Sequence, residues 1–84
     1  MIKGKGYTWE AIGRRIESIK FDPMIDFSIA RKIMTGIINT DFINVATPFM
    51  PEGTTLVTEI RFTYHRCKGY DADKVKRAIE DNIQ

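Results

Sequence analysis

From Thr54 to His65 the chain reads TTLVTEIRFTYH, its one long alternating stretch. Leu56, Ile60, Phe62 and Tyr64 fall on one side, while Val57, Glu59, Arg61, Thr63 and His65 fall on the other. This is the period of a strand with one packed face and one wet face. A second apolar run, Phe42 to Met50, precedes it across Pro51-Glu52-Gly53. Together they predict an antiparallel hairpin with strands over 42–50 and 54–66. A two-residue Glu52-Gly53 loop sets Phe49 opposite Leu56, Val45 opposite Ile60 and Ile43 opposite Phe62, which gathers the large apolar groups on one face. A three-residue loop would place Asn44 opposite Ile60 and bury the wrong side unless a bulge compensates. Pro48 cannot donate to a ladder, so the first strand is expected at an edge. Two strands are marginal alone and need helices across their apolar face.

The flanking segments supply candidates for those helices. Residues 1–6 are short, basic and glycine-bearing, and are expected to be flexible unless Ile2 docks as an added strand. Thr8 can cap a helix over 9–20, along which Trp9, Ile12, Ile16 and Ile19 recur at three- and four-residue steps. Asp22-Pro23 then opens a helical region over 23–39, with Ile25, Ile29, Ile33 and Ile37 in an i,i+4 series widened by Phe27, Ala30, Met34 and Ile38. Asp26 and Ser28 offer a second cap, so the region is one long helix or a short turn and a helix from about Phe27. Gly36 lets another element approach. Asp71 caps a last helix over 72–83, with Tyr70 and Val75 at staple positions. The expected fold is a single α+β domain over 1–84 in the order α-α-β-β-α, with the hairpin covered on one face by helices.

With 84 residues there is no room for a second domain, and the core is thin. Thirteen Lys and Arg against eleven Asp and Glu leave a net charge of +2, too mild by itself to imply nucleic acid. A single cysteine, Cys67, excludes an internal disulfide and fits a reducing compartment. No apolar stretch follows the basic N-terminus and none is long enough for a bilayer, so the expectation is a soluble cytoplasmic protein without membrane contact.

Few residues suggest catalysis. His65 is the only histidine, and Cys67 lies two residues on, so on a strand the two would point the same way. Zinc needs about four ligands, and no second Cys or His exists, so neither metal nor cofactor is expected. Glu10, Glu17, Asp22 and Asp26 include helical spacings, but solvated surface accounts for them. Nothing matches a phosphate-binding glycine loop. The basic residues Arg14, Arg15, Arg61, Arg66, Lys68, Lys74 and Arg77 are candidates for phosphate contact if the fold brings them together.

The run Gly6 to Ile16, GYTWEAIGRRI, resembles the opening helix of some helix-turn-helix proteins, and a hairpin around Glu52-Gly53 resembles a wing. That resemblance implies a winged-helix DNA binder. The turn at Ser18-Ile19-Lys20 departs from the pattern in lacking glycine, and the would-be reading helix over 29–38 is mostly apolar, with only Arg31 and Lys32 basic.

Large apolar residues are abundant for so small a core. Phe27, Met34, Phe42, Phe49 and Met50 are therefore candidates for contact with a protein partner. The functional expectation is a small non-enzymatic binding or regulatory protein that acts through protein–protein contacts, as a homodimer, with no small-molecule ligand. The alternatives are a winged-helix-like or basic-patch DNA binder, and a small enzyme using His65 and Cys67.

Overall fold

Where a helix over 9–20 was expected, the chain forms a strand, a tight turn and a second strand. The computed structural model describes residues 2–40, 42–65 and 70–83. Within them β1 (Ile2–Gly4), β2 (Tyr7–Gly13) and β3 (Ile16–Asp26) run antiparallel in sequence. Residues 2–4 form an edge strand, the docked alternative to a loose N-terminus. The isoleucines fit two periods at once. Trp9, Ile12, Ile16 and Ile19 suit a helix, whereas Tyr7 and Trp9 with Ile19 and Phe21 suit alternation. Sheet pairing decides: Trp9 stands opposite Ile19 and Tyr7 opposite Phe21, and all four are buried. Aromatic and β-branched residues pack well on such a pleated surface. The turn is made by Gly13 to Arg15, with Arg15 at a φ of 60°. The chain therefore has no helix-turn-helix at this position.

Of the two readings of 23–39, the helix from about Phe27 with Asp26 as its cap is the one found, and the single long helix is not. The first residues of that region belong to the end of β3, where Ile25 pairs with Val57 and Asp26 with Leu56. Helix α1 (Phe27–Ile38) follows directly, and the Asp26 carboxylate accepts a hydrogen bond from the Phe27 amide at 3.1 Å. Its buried residues are Ala30, Ile33 and Ile37. Next come β4 (Ile43–Phe49) and β5 (Leu56–Tyr64), then α2 (Ala72–Glu80), capped by Asp71 through its bond from the Asp73 amide.

The hairpin register also differs. Pro48, not Val45, stands opposite Ile60, with Ala46 opposite Phe62 and Val45 opposite Thr63. The connection is longer than a two- or three-residue loop. It holds a turn of its own, closed by the Thr54 amide on the Pro51 carbonyl at 3.2 Å, with Gly53 at a φ of 80°. The near end of β5 is meanwhile paired with β3, and the Thr55 carbonyl accepts from the Phe27 amide at 2.9 Å. The change of parity turns Val45 away from the helices and brings Ala46 and Pro48 toward them. A second irregularity brings Val57 into the core and leaves Leu56 exposed.

The order β-β-β-α-β-β-α thus replaces α-α-β-β-α. Four long antiparallel strands, extended at one edge by short β1, form a sheet in the order β1-β2-β3-β5-β4. Both helices lie on one face, where Ala30, Ile33, Ile37, Val75 and Ile79 join Trp9, Ile19, Ile60 and Phe62 in one core. The Tyr7 hydroxyl bonds Glu80 at 2.9 Å and the Tyr70 hydroxyl bonds Glu17 at 2.8 Å, which sets α2 over β2 and β3. Among the described residues, no helix is long and apolar enough to cross a membrane.

Candidate functional site

The sheet has a second face that, among the described residues, no helix covers. Alternation along each strand sends every second side chain there, and register aligns them in three rows across β2, β3, β5 and β4. One row runs from Gly13 through Ile16 and Thr63 to Val45. The middle row is Glu10, Ser18, Arg61 and Thr47, and the third is Thr8, Lys20, Glu59 and Phe49. Ile12, at the irregular end of β2 beside Gly13, is 44% exposed, Ile16 37%, Val45 56% and Phe49 37%. One margin of the face is therefore apolar, and its centre is charged.

Local chemistry fixes that centre. The Arg61 Nε donates to the Glu59 carboxylate at 2.8 Å, and the Ser18 hydroxyl donates to the same oxygen. The Arg61 guanidinium sits 4.6 Å from the centroid of the Phe49 ring, a cation–π contact. Burial pushes the Glu59 carboxyl up, but the bonds from Arg61 and Ser18 and the charges of Arg61 and Lys20 outweigh it. The net effect holds Glu59 below the usual carboxylate range. Ser18 is fully buried beneath these neighbours. The face is thus a preset arrangement of two acids and two bases, Glu10 and Glu59 with Lys20 and Arg61.

The protein-contact candidates divide. Phe42 is buried in the core, and Met34 on α1 is partly buried against that core. Phe49 lies on the uncovered face. Phe27 and Met50 are exposed with Met24 and Leu56. Phe27 and Leu56 both lie at the β3–α1 junction, where Leu56 pairs with Asp26. Reading 9–20 as a helix hid Ile12 and Ile16 on its inward stripe. The signal that finds them is the alternation of Tyr7, Trp9, Ile19 and Phe21 around Gly13-Arg14-Arg15.

The basic residues are not gathered on one surface. Arg61 is on the uncovered face, whereas Lys74 and Arg77 are exposed on α2, which lies against the other. Arg14 and Arg15 form the β2–β3 turn, and the Arg15 charge reaches Tyr64. Arg66, Lys68 and Cys67 lie outside the described residues, so the His65–Cys67 pairing does too. His65 itself is exposed, just past the end of β5, where its amide donates to the Phe42 carbonyl at 2.7 Å.

Two further features complete the polar inventory. On the helix side, Glu17 accepts from the Trp9 indole and from the Tyr70 hydroxyl, and the Tyr64 and Tyr70 rings stack at 4.3 Å. Burial, then the bond to Glu17, pushes the Tyr70 phenol far above its ordinary value; burial and the Glu17 carboxylate raise Tyr64 as well. These groups satisfy one another. An open cleft of about 900 Å³ lies between the β1–β2 turn and the end of α2, lined by Lys5, Gly6, Asp22, Pro23, Glu80 and Ile83. Its Glu80 is engaged by Tyr7. Among the described residues, no group of three His, Cys, Asp or Glu is placed to hold a metal ion.

No family model, curated protein or solved structure matches the chain.

Proposed function

We propose that this protein acts by contact with another polypeptide through the uncovered face of its sheet. The observation that carries this reading is the row of exposed Ile16 and Val45, with Ile12 at its end, on a face that neither helix touches. A sheet in a two-layer domain ordinarily places polar groups on its outer side, because apolar ones there gain nothing from burial. Ile12 and Ile16 stand at one end of the row and Val45 beyond Thr63 at the other, and exposed apolar groups gathered beside charge are a mark of an interaction site. The central charges add specificity: Arg61 is held by Glu59 and Phe49, so a partner meets a preformed pattern with little ordering left to do.

A photo-crosslinking side chain at Thr47, exposed on this face, tests the reading in living cells. Lys76, exposed on α2, is the control position. Discrete polypeptide adducts from position 47, lost when Ile16→Glu is added and weak from position 76, are the expected result. Equal adducts from both positions, or none from either, would remove this face as a docking surface.

A further inference from the structure

We infer that the occupant of the uncovered face is a second copy of this chain, packed sheet to sheet about a two-fold axis that runs along the strands between β3 and β5. This rests on the docking reading above and names its partner. Such an axis keeps each row on its own row and lays β3 over β5 of the other copy, and β2 over β4. The Cα register then dictates what meets what. Lys20 falls over Glu59 of the second copy and Glu59 over its Lys20, since these two are partners in the third row. Ile16 falls over Thr63, and Val45 over the corner formed by Ile12 and Gly13, since those positions end the first row. Arg61 falls over Ser18, and Glu10 over Thr47.

Self-complementarity of this kind is not automatic. A two-fold lying across the strands would lay the apolar row on Lys20 and Glu59 and bury charge against isoleucine, which is costly. The axis along the strands instead builds a square of alternating charge, two Lys20 and two Glu59, at one end and two facing apolar rows at the other, with the middle row between them. Stacked sheets cross at roughly 30°, which moves outer strands most and leaves β3 and β5, nearest the axis, best aligned. Four strands of three rows give a footprint of roughly 20 by 20 Å. That is small beside the ~800 Å² per partner of a standard interface, so association is expected in the micromolar range rather than the nanomolar.

The experiment uses two charge-reversed chains. Lys20→Glu carries Glu at both 20 and 59, and Glu59→Lys carries Lys at both. Either one alone brings like charges together across the axis. Mixed one to one, they oppose Glu to Lys at both contacts. Sedimentation is expected to show the unmodified chain dimerising at high micromolar concentration. Each variant alone should associate at least about tenfold more weakly, and the mixture should recover to within a few-fold. Rescue on mixing cannot come from the pairing of Lys20 with Glu59 inside one chain. Circular dichroism checks that each variant is folded. Should Glu59→Lys fail to fold, a nitroxide at Thr47→Cys in a Cys67→Ser background gives the second measurement. Its expected label separation is about 20 Å in the dimer, from the strand and sheet spacings.

A strict monomer at millimolar concentration, a mixture no tighter than its components, or labels with no dipolar contact would overturn the dimer. If Thr47 still crosslinks to other polypeptides in any of those cases, the face remains a docking surface with a different partner. If it crosslinks to none, both readings fall.

Discussion

A Cβ placed on Gly36 would lie 3.0 Å from the Cβ of Ala78, so α1 and α2 meet at a contact that admits another methyl group only if the helices give by a few tenths of an ångström. Two helices approach this closely only where small residues face each other. A glycine in mid-helix forgoes about 1 kcal/mol of helix propensity relative to alanine. Gly36→Ala should therefore not yield that gain, because the helices must separate to admit the methyl. Gly36→Val should cost about 1–3 kcal/mol by overpacking. Urea unfolding measures both. Exchanging the pair, Gly36→Ala with Ala78→Gly, should return stability toward the parent value. A Gly36→Ala chain that is stabilised by the full propensity gain would show the contact to be loose.

The three tyrosines of the chain all sit above their ordinary value of 10. Burial, reinforced by Glu80, takes Tyr7 to about 12, while burial and Glu17 raise Tyr64 and Tyr70. A phenol whose folded value exceeds its unfolded one adds stability that is complete below the unfolded value. That stability is lost as pH climbs through the folded one. Stability should therefore fall between pH 10 and about 12, the window set by Tyr7. Phenolate absorbance should stay low at pH 10 in the folded chain and rise together with unfolding. In Glu17→Gln the removed charge should lower the titrations of Tyr64 and Tyr70 and leave Tyr7 in place. A half-ionised spectrum at pH 10 with the fold intact would contradict this.

Legibility in the sequence followed how many periods a segment could satisfy. Helix α2 is written plainly, because Asp71 caps it and Val75 and Ile79 face one way while the charges face the other. Helix α1 is legible from about Phe27, with Asp26 as its cap, but Ile25 fitted the same series and belongs to β3. Between Tyr7 and Phe21 the isoleucines suit a helix as well as a strand; the alternation of Tyr7, Trp9, Ile19 and Phe21 is present in the sequence, and it prevails because β2 and β3 pair with each other and β3 pairs with β5. The hairpin register was missed for a related reason. Thr55 and Leu56 serve β3 and α1, so the six residues between Phe49 and Leu56 could not be read as a tight loop. Two residues of the uncovered face stand out in the sequence for different reasons, Phe49 as an apolar contact and Arg61 as a phosphate contact. Ile16, Lys20 and Val45 joined it only once β3 lay beside β5 and the register had shifted.

Arg15 occupies the left-handed region at a φ of 60°, where a Cβ crowds the following carbonyl. Its carbonyl is fixed by the Tyr64 amide at 3.2 Å, so the turn cannot relax without losing a bond to β5. Arg15→Gly should stabilise the chain by about 0.5–1 kcal/mol, the relief of strain exceeding the extra freedom of glycine in the unfolded chain. Arg15→Val should destabilise by more than that, since a β-branched residue tolerates this conformation least. Thermal unfolding of the two variants beside the parent decides it. Equal midpoints for Gly and Val would mean that the turn adapts.

Ser18 and Glu59 tie β3 to β5 from the uncovered side, and their bond should report on acid stability. Glu59 titrates below the ordinary carboxyl value of 4.5 despite its burial, because Arg61 and Ser18 donate to its charged form. A depressed carboxyl contributes stability that is present above the unfolded value and is lost as pH falls through the folded one. Ser18→Ala removes one donor, so Glu59 should titrate higher and the chain should lose about 1 kcal/mol near neutrality. That difference should shrink as pH is lowered below 4, where the protonated carboxyl no longer draws on the hydroxyl as strongly in either chain. Urea unfolding at pH 7, 5 and 3 measures the gap, and carboxyl carbon shifts locate the titration of Glu59 directly. A gap that stays constant with pH would mean that Ser18 acts through packing alone.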